Sequence, residues 1–451
     1  VLVLLCAAHH QPWFDEAQSW LLARDLTPAQ LVFHQTRYEG TPALWTTLLI
    51  PFVKSGLSYS DFSYISAAIA ILGVIVFLRW APLPLWLKLL FPFTYFPLFQ
   101  FAVIARSYAL FLPVLCGLAA LFPRRHNRHW FSYLVLLILL ANISLHGAML
   151  GVILFAEWFW TSPRNRITYY YGATFVLLYG FVYLQLRLPP DLLPQFGPHG
   201  PAMMALRFQQ QIREAYFGGL GGSLWKLSGL LAAIAVILIS ARWFARTGVL
   251  WLYAGLSAPL LALALFKATY WHSGILFLVW IFCLWLSFDR DRHPADRSVG
   301  YAVGAVFVVQ AFFGLYSVAH QMTATYSGAE AAASYLKSTG EYKDRLFAIG
   351  FKSFALQPYF SDNLFAAQER GRKQAFYAWS KDFDHEGLQD IDQQHPDRVI
   401  VGIAEPKQFE LISELNAHGF CIERTFGGSV WWKNGALEPD GYVLLRRCSG
   451  Q

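Results

Sequence analysis

Charge is what this sequence has least of. Only 14% of its 451 residues are Asp, Glu, Lys or Arg, against roughly 25% in an ordinary soluble domain. That shortage excludes a single conventional globule. Cysteine is also scarce, with five in all, and no Cys/His spacing suited to a metal occurs. The C-terminal part contains no Gly-rich phosphate loop, and the chain shows no internal repeat. None of its four methionines opens the chain. Residues 1–8, VLVLLCAA, therefore read as the end of a membrane helix whose start lies upstream, since eight apolar residues cannot cross a core that needs about 20.

What is abundant is apolar surface: 56% of the residues are hydrophobic and 17% aromatic. The charge is unevenly placed. Residues 1–320 hold 21 Lys/Arg and 11 Asp/Glu, while residues 321–451 hold 14 and 17. Apolar runs of spanning or near-spanning length occupy about 62–80, 83–101, 104–122, 130–146, 147–160, 167–187, 225–241, 248–266, 271–288 and 299–319. With the first helix they predict a polytopic α-helical membrane protein of about 11 spans over 1–320. A C-terminal soluble α/β domain follows over 321–451. The run 42–53 is too short to span and reads as a helix lying on the membrane surface.

Twelve basic residues (Arg79, Lys88, Arg124, Arg125, Arg128, Arg164, Arg166, Arg242, Arg246, Arg290, Arg292 and Arg297) fall on alternate sides of successive helices. Such clusters mark the cytoplasmic face. They also argue against a continuous basic surface for nucleic acid. The opposite face receives the loop 9–61, the turns at Arg106 and His146, the loop 188–224, the turn Lys267–His272 and the tail. In the tail, 345–351, 398–403, 420–426 and 442–447 read as strands, and 407–419 as a helix stopped by glycine. Cys421 and Cys448 lie there too. In an oxidising compartment they can pair; two buried thiols are the alternative.

The candidate chemistry gathers on the outer side. Asp15 and Glu16 follow the first helix, where a charged group is costly unless paired or hydrated. They suggest a general base at the membrane surface; the alternative is helix capping by Asp15. Arg106 opens an apolar helix with no acidic residue near it in sequence, which suits an anion such as a phosphate, or snorkelling to headgroups. Tyr108 offers that phosphate a hydroxyl. Lys267, His272 and His146 are further outer-face candidates, although a loop histidine more often has no catalytic role. Loop 188–224 joins a proline-rich start, a polar helix carrying Arg207 and Arg213, and a GGLGGS end. It reads as a mobile lid or a plain surface helix.

Taken together, FDEAQSW, YEGTPALW, AVIARSYAL and His272-Ser273-Gly274 resemble the GT-C glycosyltransferase superfamily. These are polyprenyl-phosphate-sugar-dependent enzymes that include protein O-mannosyltransferases and the lipid A aminoarabinose transferase. The likeness is carried best by 9–122. Gly40-Thr41-Pro42 stands where many relatives have His-Pro-Pro, and Trp271 stands where a basic residue is commoner. The resemblance implies an inverting transfer from a polyprenyl-phosphate-linked sugar to a hydroxyl on a glycan, lipid or protein. It implies Asp15 as base with Glu16 beside it, and Arg106, Tyr108, Lys267 and His272 at the donor phosphate. Glu16 and Glu39 would position the acceptor or hold the loop, and His146, Arg207 and Arg213 would serve the acceptor or its loop. It places the protein in a bacterial inner membrane, in contact with membrane lipids, with a periplasmic tail. No cofactor or metal is expected. A lipid or sugar transporter and a non-catalytic scaffold are the competing classes.

Overall fold

The computed structural model describes the chain apart from residues 128, 194–199, 219–222, 268, 292–296, 341, 343–345, 366–374, 382–390, 392–394, 404–406, 434 and 449–451, and gives only the backbone of 223, 297, 407 and 408. The protein is largely helical with a small C-terminal sheet region. Its helices include α1 (Leu2–His9), α2 (Phe14–Asp25), α3 (Thr36–Glu39), α4 (Leu44–Lys54) and α5 (Ser63–Trp80). There follow α6 (Phe111–Leu121), α7 (Trp130–Ala141), α8 (Leu145–Thr161), α9 (Arg166–Leu186) and α10 (Pro201–Tyr216). The helical part closes with α11 (Ser223–Arg246), α12 (Leu250–Phe266), α13 (Tyr270–Arg290) and α14 (Arg297–Gln321).

Among the described residues six helical stretches are long and apolar enough to cross a membrane: Tyr59–Trp80, Ser107–Arg124, Arg166–Leu186, Leu224–Arg246, Tyr270–Arg290 and Ser298–Gln321. α7, α8 and α12 are apolar but shorter. The 17 residues of α12 rise about 25 Å, somewhat less than a typical hydrocarbon core. The expected span at 83–101 is not one helix. It breaks into Leu85–Leu90, a 3₁₀ turn Phe91–Phe93 and a wide turn Phe96–Gln100. The cause lies in Pro84, Pro92 and Pro97, each of which removes a backbone donor and clashes with the preceding turn. Hydropathy registers the apolar side chains and not the missing N–H groups.

α13 lies at the centre, buried over nearly its whole length. Gly274 allows this packing, because a Cβ there would stand 2.5 Å from the Phe96 ring and 2.6 Å from Phe101. α4 is a separate 11-residue helix, as its length requires.

In the tail, β1 (Leu346–Ile349), β2 (Arg398–Ile403), β3 (Phe420–Phe426) and β6 (Gly441–Arg447) form a sheet in the order β1-β2-β6-β3. β1 and β2 are parallel, and the other neighbours antiparallel. Alternate residues face two cores. Val399, Val401, Val443 and Leu445 pack with Ile412 and Leu415 of the helix Lys407–Ala417. Ile400, Tyr442 and Leu444 join the large core that includes Phe14 and Trp20 of α2. Burial on both faces explains why these strands read as unbroken apolar runs. A second, two-stranded sheet pairs β4 (Ser429–Trp431) with β5 (Leu437–Pro439). Cys421 and Cys448 are joined as a disulfide, closing the stretch that contains this hairpin.

Candidate active site

Two neighbouring residues of α2 meet two neighbouring residues of the turn before α6. Asp15 Oδ2 lies 2.7 Å from Arg106 Nη1. Glu16 Oε1 accepts from the backbone N–H of Ala105 at 2.6 Å. The second oxygen of Glu16 takes His10 Nε2 at 2.8 Å and the backbone N–H of Trp13 at 3.2 Å. Glu16, fully buried, is thus the joint that fixes the register of Asp15 against Arg106. This corrects its reading as a catalytic partner of Asp15, since its oxygens are occupied and shielded from any substrate. It also corrects the capping alternative. α2 begins at Phe14, so Asp15 is inside the first turn, and Glu16 binds the free N–H at the helix entrance. Asp15 is left partly exposed, with its charge favoured by the N-terminal end of the helix.

Arg106 stands on the wall of a cavity of about 360 Å³. Tyr108, His146, Lys267 and His272 line it as the sequence suggested, together with Glu39. Five leucines, Leu145, Leu186, Leu188, Leu192 and Leu263, form its apolar side. The Arg106 guanidinium lies over the Trp271 ring, 4.4 Å from its centroid, and 5.2 Å from that of Tyr108. Its Nη1 makes no aligned hydrogen bond despite the short contact to Asp15. It therefore retains donor capacity for a second anion.

His272 is held at both ring nitrogens, Nε2 with the Tyr108 hydroxyl at 3.1 Å and Nδ1 with the Thr269 hydroxyl at 2.8 Å. Its ring packs at a tilt against His146, with centroids 4.1 Å apart. This arrangement orients Tyr108 more than it offers a free base. Lys267 follows the last turn of α12. Burial lowers its pKa and the nearby Arg106 charge lowers it further, while Asp15 opposes both. All three charges therefore share one field.

Glu39 accepts from Gln18 Nε2 and Gln35 Nε2, each at 2.9 Å. Burial pushes its pKa up to about 7, and the Asp15 charge adds to the rise against those two hydrogen bonds. Gln18 also pairs with the backbone of Tyr377 in both directions. Through Gln18 the tail thus reaches Glu39 on the cavity wall.

Two expected residues stand elsewhere. Arg213 is buried in an ion pair with Glu214 at 2.9 Å, which removes it from the cavity. Arg207 donates to the carbonyl of Phe266 and does not line the cavity. Both act in docking α10, whose Gln211 also donates to the Thr269 carbonyl. Within the loop expected as a lid or a surface helix, 201–216 form a helix whose second half, Gln211 to Tyr216, is buried. Its proline-rich lead at 194–199 and most of its glycine end at 219–222 lie outside the described residues.

Sequence reasoning missed Arg37, Tyr38 and Trp271, all on the cavity wall. Arg37 and Tyr38 immediately precede the Glu39-Gly40 pair, and proximity to that motif was the available signal. The hydroxyl of Tyr38 donates to Asp191, which also accepts from Ser380 at 2.6 Å. Among the described residues no three His, Cys, Asp or Glu side chains group as metal ligands.

No family model and no curated protein matches the chain.

Proposed function

We propose that the protein is an inverting GT-C-type glycosyltransferase that moves a sugar from a polyprenyl-phosphate donor to an acceptor hydroxyl. The reaction would run at the periplasmic face of a bacterial inner membrane. The observation that carries this reading is the Asp15–Arg106 pair, whose arginine lines a mostly apolar cavity with Tyr108, Lys267 and His272. A base and an anion-binding cation stand in contact, beside a wall of leucines suited to an isoprenoid tail.

The chemistry follows from the charges. The donor phosphate binds Arg106, with Lys267 and the Tyr108 hydroxyl beside it, and draws the guanidinium away from Asp15. The freed carboxylate accepts the proton of the acceptor hydroxyl. The acceptor oxygen forms its bond to the anomeric carbon from the opposite face as the carbon–oxygen bond to phosphate breaks. The electron pair of that bond leaves with the lipid phosphate. Its growing negative charge is met by fixed cations in a site shielded from water, where such stabilisation is strongest. Glu39, held by Gln18 and Gln35, faces the acceptor side. The disulfide in the tail supports an oxidising compartment for that part of the chain.

The test is transfer from a polyprenyl-phosphate sugar by purified full-length protein. Asp15→Asn should lower kcat by about 10²- to 10⁴-fold, the usual contribution of a positioned base. Arg106→Ala should raise the donor KM as well as lower kcat. Transfer at the wild-type rate in Asp15→Asn would remove the base assignment.

A further inference from the structure

The C-terminal hairpin inserts into the site from behind. Trp432 follows β4 and is buried. Its ring stacks on Tyr270 at 5.2 Å and lies 5.3 Å from Trp271 and 6.0 Å from Trp13, centroid to centroid. Trp271 in turn carries the Arg106 guanidinium on its ring. Arg106, Trp271 and Trp432 therefore form one continuous line of contacts, from the cavity wall to the tail, with the two indoles tilted 45° to each other.

The hairpin that presents Trp432 is firmly held. The Trp432 N–H donates to Ala436 O at 3.0 Å, and Gly435 N–H returns to Trp432 O at 2.8 Å. The left-handed φ of +78° at Gly435 makes that tight turn possible. The next residue, Lys433, is buried and donates to the Glu214 carbonyl at the end of α10. It passes over Gly218, where a Cβ would meet Lys433 Cε at 3.0 Å. Behind Trp432, Trp431 packs edge-on against His320 and Tyr326. None of these contacts lets the Trp432 ring drift.

We infer that Trp271 and Trp432 are positioning residues. They hold the Arg106 guanidinium at the angle that receives the donor phosphate, making the C-terminal hairpin a working part of the active site. A cation on an indole face is fixed laterally, yet keeps its edge N–H groups for an in-plane anion. Trp271 supplies a flat surface that orients the charge on Arg106. The inference rests on the proposed donor-phosphate role of Arg106.

The experiment measures equilibrium binding of sugar-free undecaprenyl phosphate to the full chain in lipid nanodiscs. The variants are Arg106→Ala, Trp271→Ala, Trp271→Phe, Trp432→Ala and Trp432→Phe, alone and on the Arg106→Ala background. Trp271→Ala should weaken binding about 2- to 30-fold, the range a cation–π contact spans between exposed and desolvated settings, and Trp432→Ala, which acts through Trp271, should weaken it by a smaller factor. The Phe variants, which keep an aromatic face, should recover most of it. On the Arg106→Ala background neither Trp change should weaken binding further, because both act through that guanidinium. If the losses multiply, the tryptophans act independently of Arg106 and the inference is overturned. If Arg106→Ala weakens binding while both Trp→Ala proteins bind as wild type, the inference fails and the functional reading stands. If Arg106→Ala binds the lipid phosphate unchanged, the functional reading itself falls. Should Trp432→Ala not fold, Trp432→Phe and the Trp271 pair decide the same question.

Discussion

Reducing the tail disulfide should loosen the hairpin that backs the site, and the size of the effect can be worked out. Cys421 and Cys448 are 27 residues apart. The chain-entropy treatment of a loop that size gives about 3.5 kcal/mol of stabilisation at 25 °C, less whatever order the reduced unfolded chain retains. The bond sits where it can act. Cys421 lies opposite Arg446 in the β3–β6 pairing, and the Cys448 N–H donates to Gly419 O at 2.8 Å. The covalent link therefore closes the base of a loop whose tip carries Trp431, Trp432 and Lys433.

Hydrogen exchange reads the result. In the reduced protein, or in Cys421→Ser/Cys448→Ser, β3 and β6 amides that exchange through opening of this sheet should exchange a few hundredfold faster, the factor that about 3.5 kcal/mol represents. Amides of α13 should be unaffected. Thiol labelling gives the sidedness. The three other cysteines, Cys6, Cys116 and Cys283, are buried. A membrane-impermeant maleimide added to intact spheroplasts should therefore label the native chain hardly at all, and label two sites after mild reduction. Unchanged exchange in β3 and β6 on reduction would refute the stabilisation argument. Labelling that needs lysis as well as reduction would refute the periplasmic assignment of the tail.

Three further outcomes are expected. Burial of Glu39 raises its pKa from 4.5 to about 7, so the folded protein binds this proton more tightly than the unfolded chain does. The associated stability is complete below about pH 4.5 and is lost as the pH rises through about 7. A Glu39→Gln protein should lack this fall, and parallel Tm–pH curves for the two proteins between pH 5 and 7.5 would contradict it. Gly274→Ala should cost about 1–3 kcal/mol by overpacking, because Phe96 and Phe101 stand within 2.6 Å of the added methyl; its Tm against wild type is the check, and an equal Tm would show that the rings yield. Glu16→Ala should be worse than Asp15→Ala for stability. It leaves His10 and the Ala105 and Trp13 N–H groups without their acceptor, at about 1–3 kcal/mol for each buried group; denaturation midpoints ranking the two variants in reverse would sink the joint assigned to Glu16.

The parts of this architecture that were legible in the sequence are those whose cause is local. Asp15 and Arg106 stood out because a charge in an apolar context needs a reason, and the structure pairs them across 91 positions of chain. Three of the longer tail strands, β1, β2 and β6, were legible because burial on both faces makes continuous apolar runs. β4 and β5, three residues each, are too short to give a pattern. The run at 83–101 misled because side-chain hydropathy carries no information on a missing backbone donor. Trp431-Trp432 in the tail read more often as core than as a glycan-holding surface, and both are buried; their partners were not legible, because Trp13 and Trp271 are brought to Trp432 by packing. Gln18 was overlooked because its meaning depends on Tyr377, 359 residues away.

These long-range contacts bear on why an α/β tail is joined to a helical membrane part. A domain tethered only for recognition would need a linker and one docking face. Here the tail touches the cavity region at three separate places. Trp432 backs Trp271, the Tyr377 backbone holds Gln18 and through it Glu39, and Ser380 shares Asp191 with Tyr38. The first contact lies behind the cation, the second behind the buried carboxyl and the third at the rim. Moving the tail as a rigid body would disturb all three together, changing the surroundings of Arg106 and of Glu39 in the same step. Separate loops could not impose that coupling, because each would relax independently. A covalently braced domain can, and the Cys421–Cys448 disulfide supplies that brace.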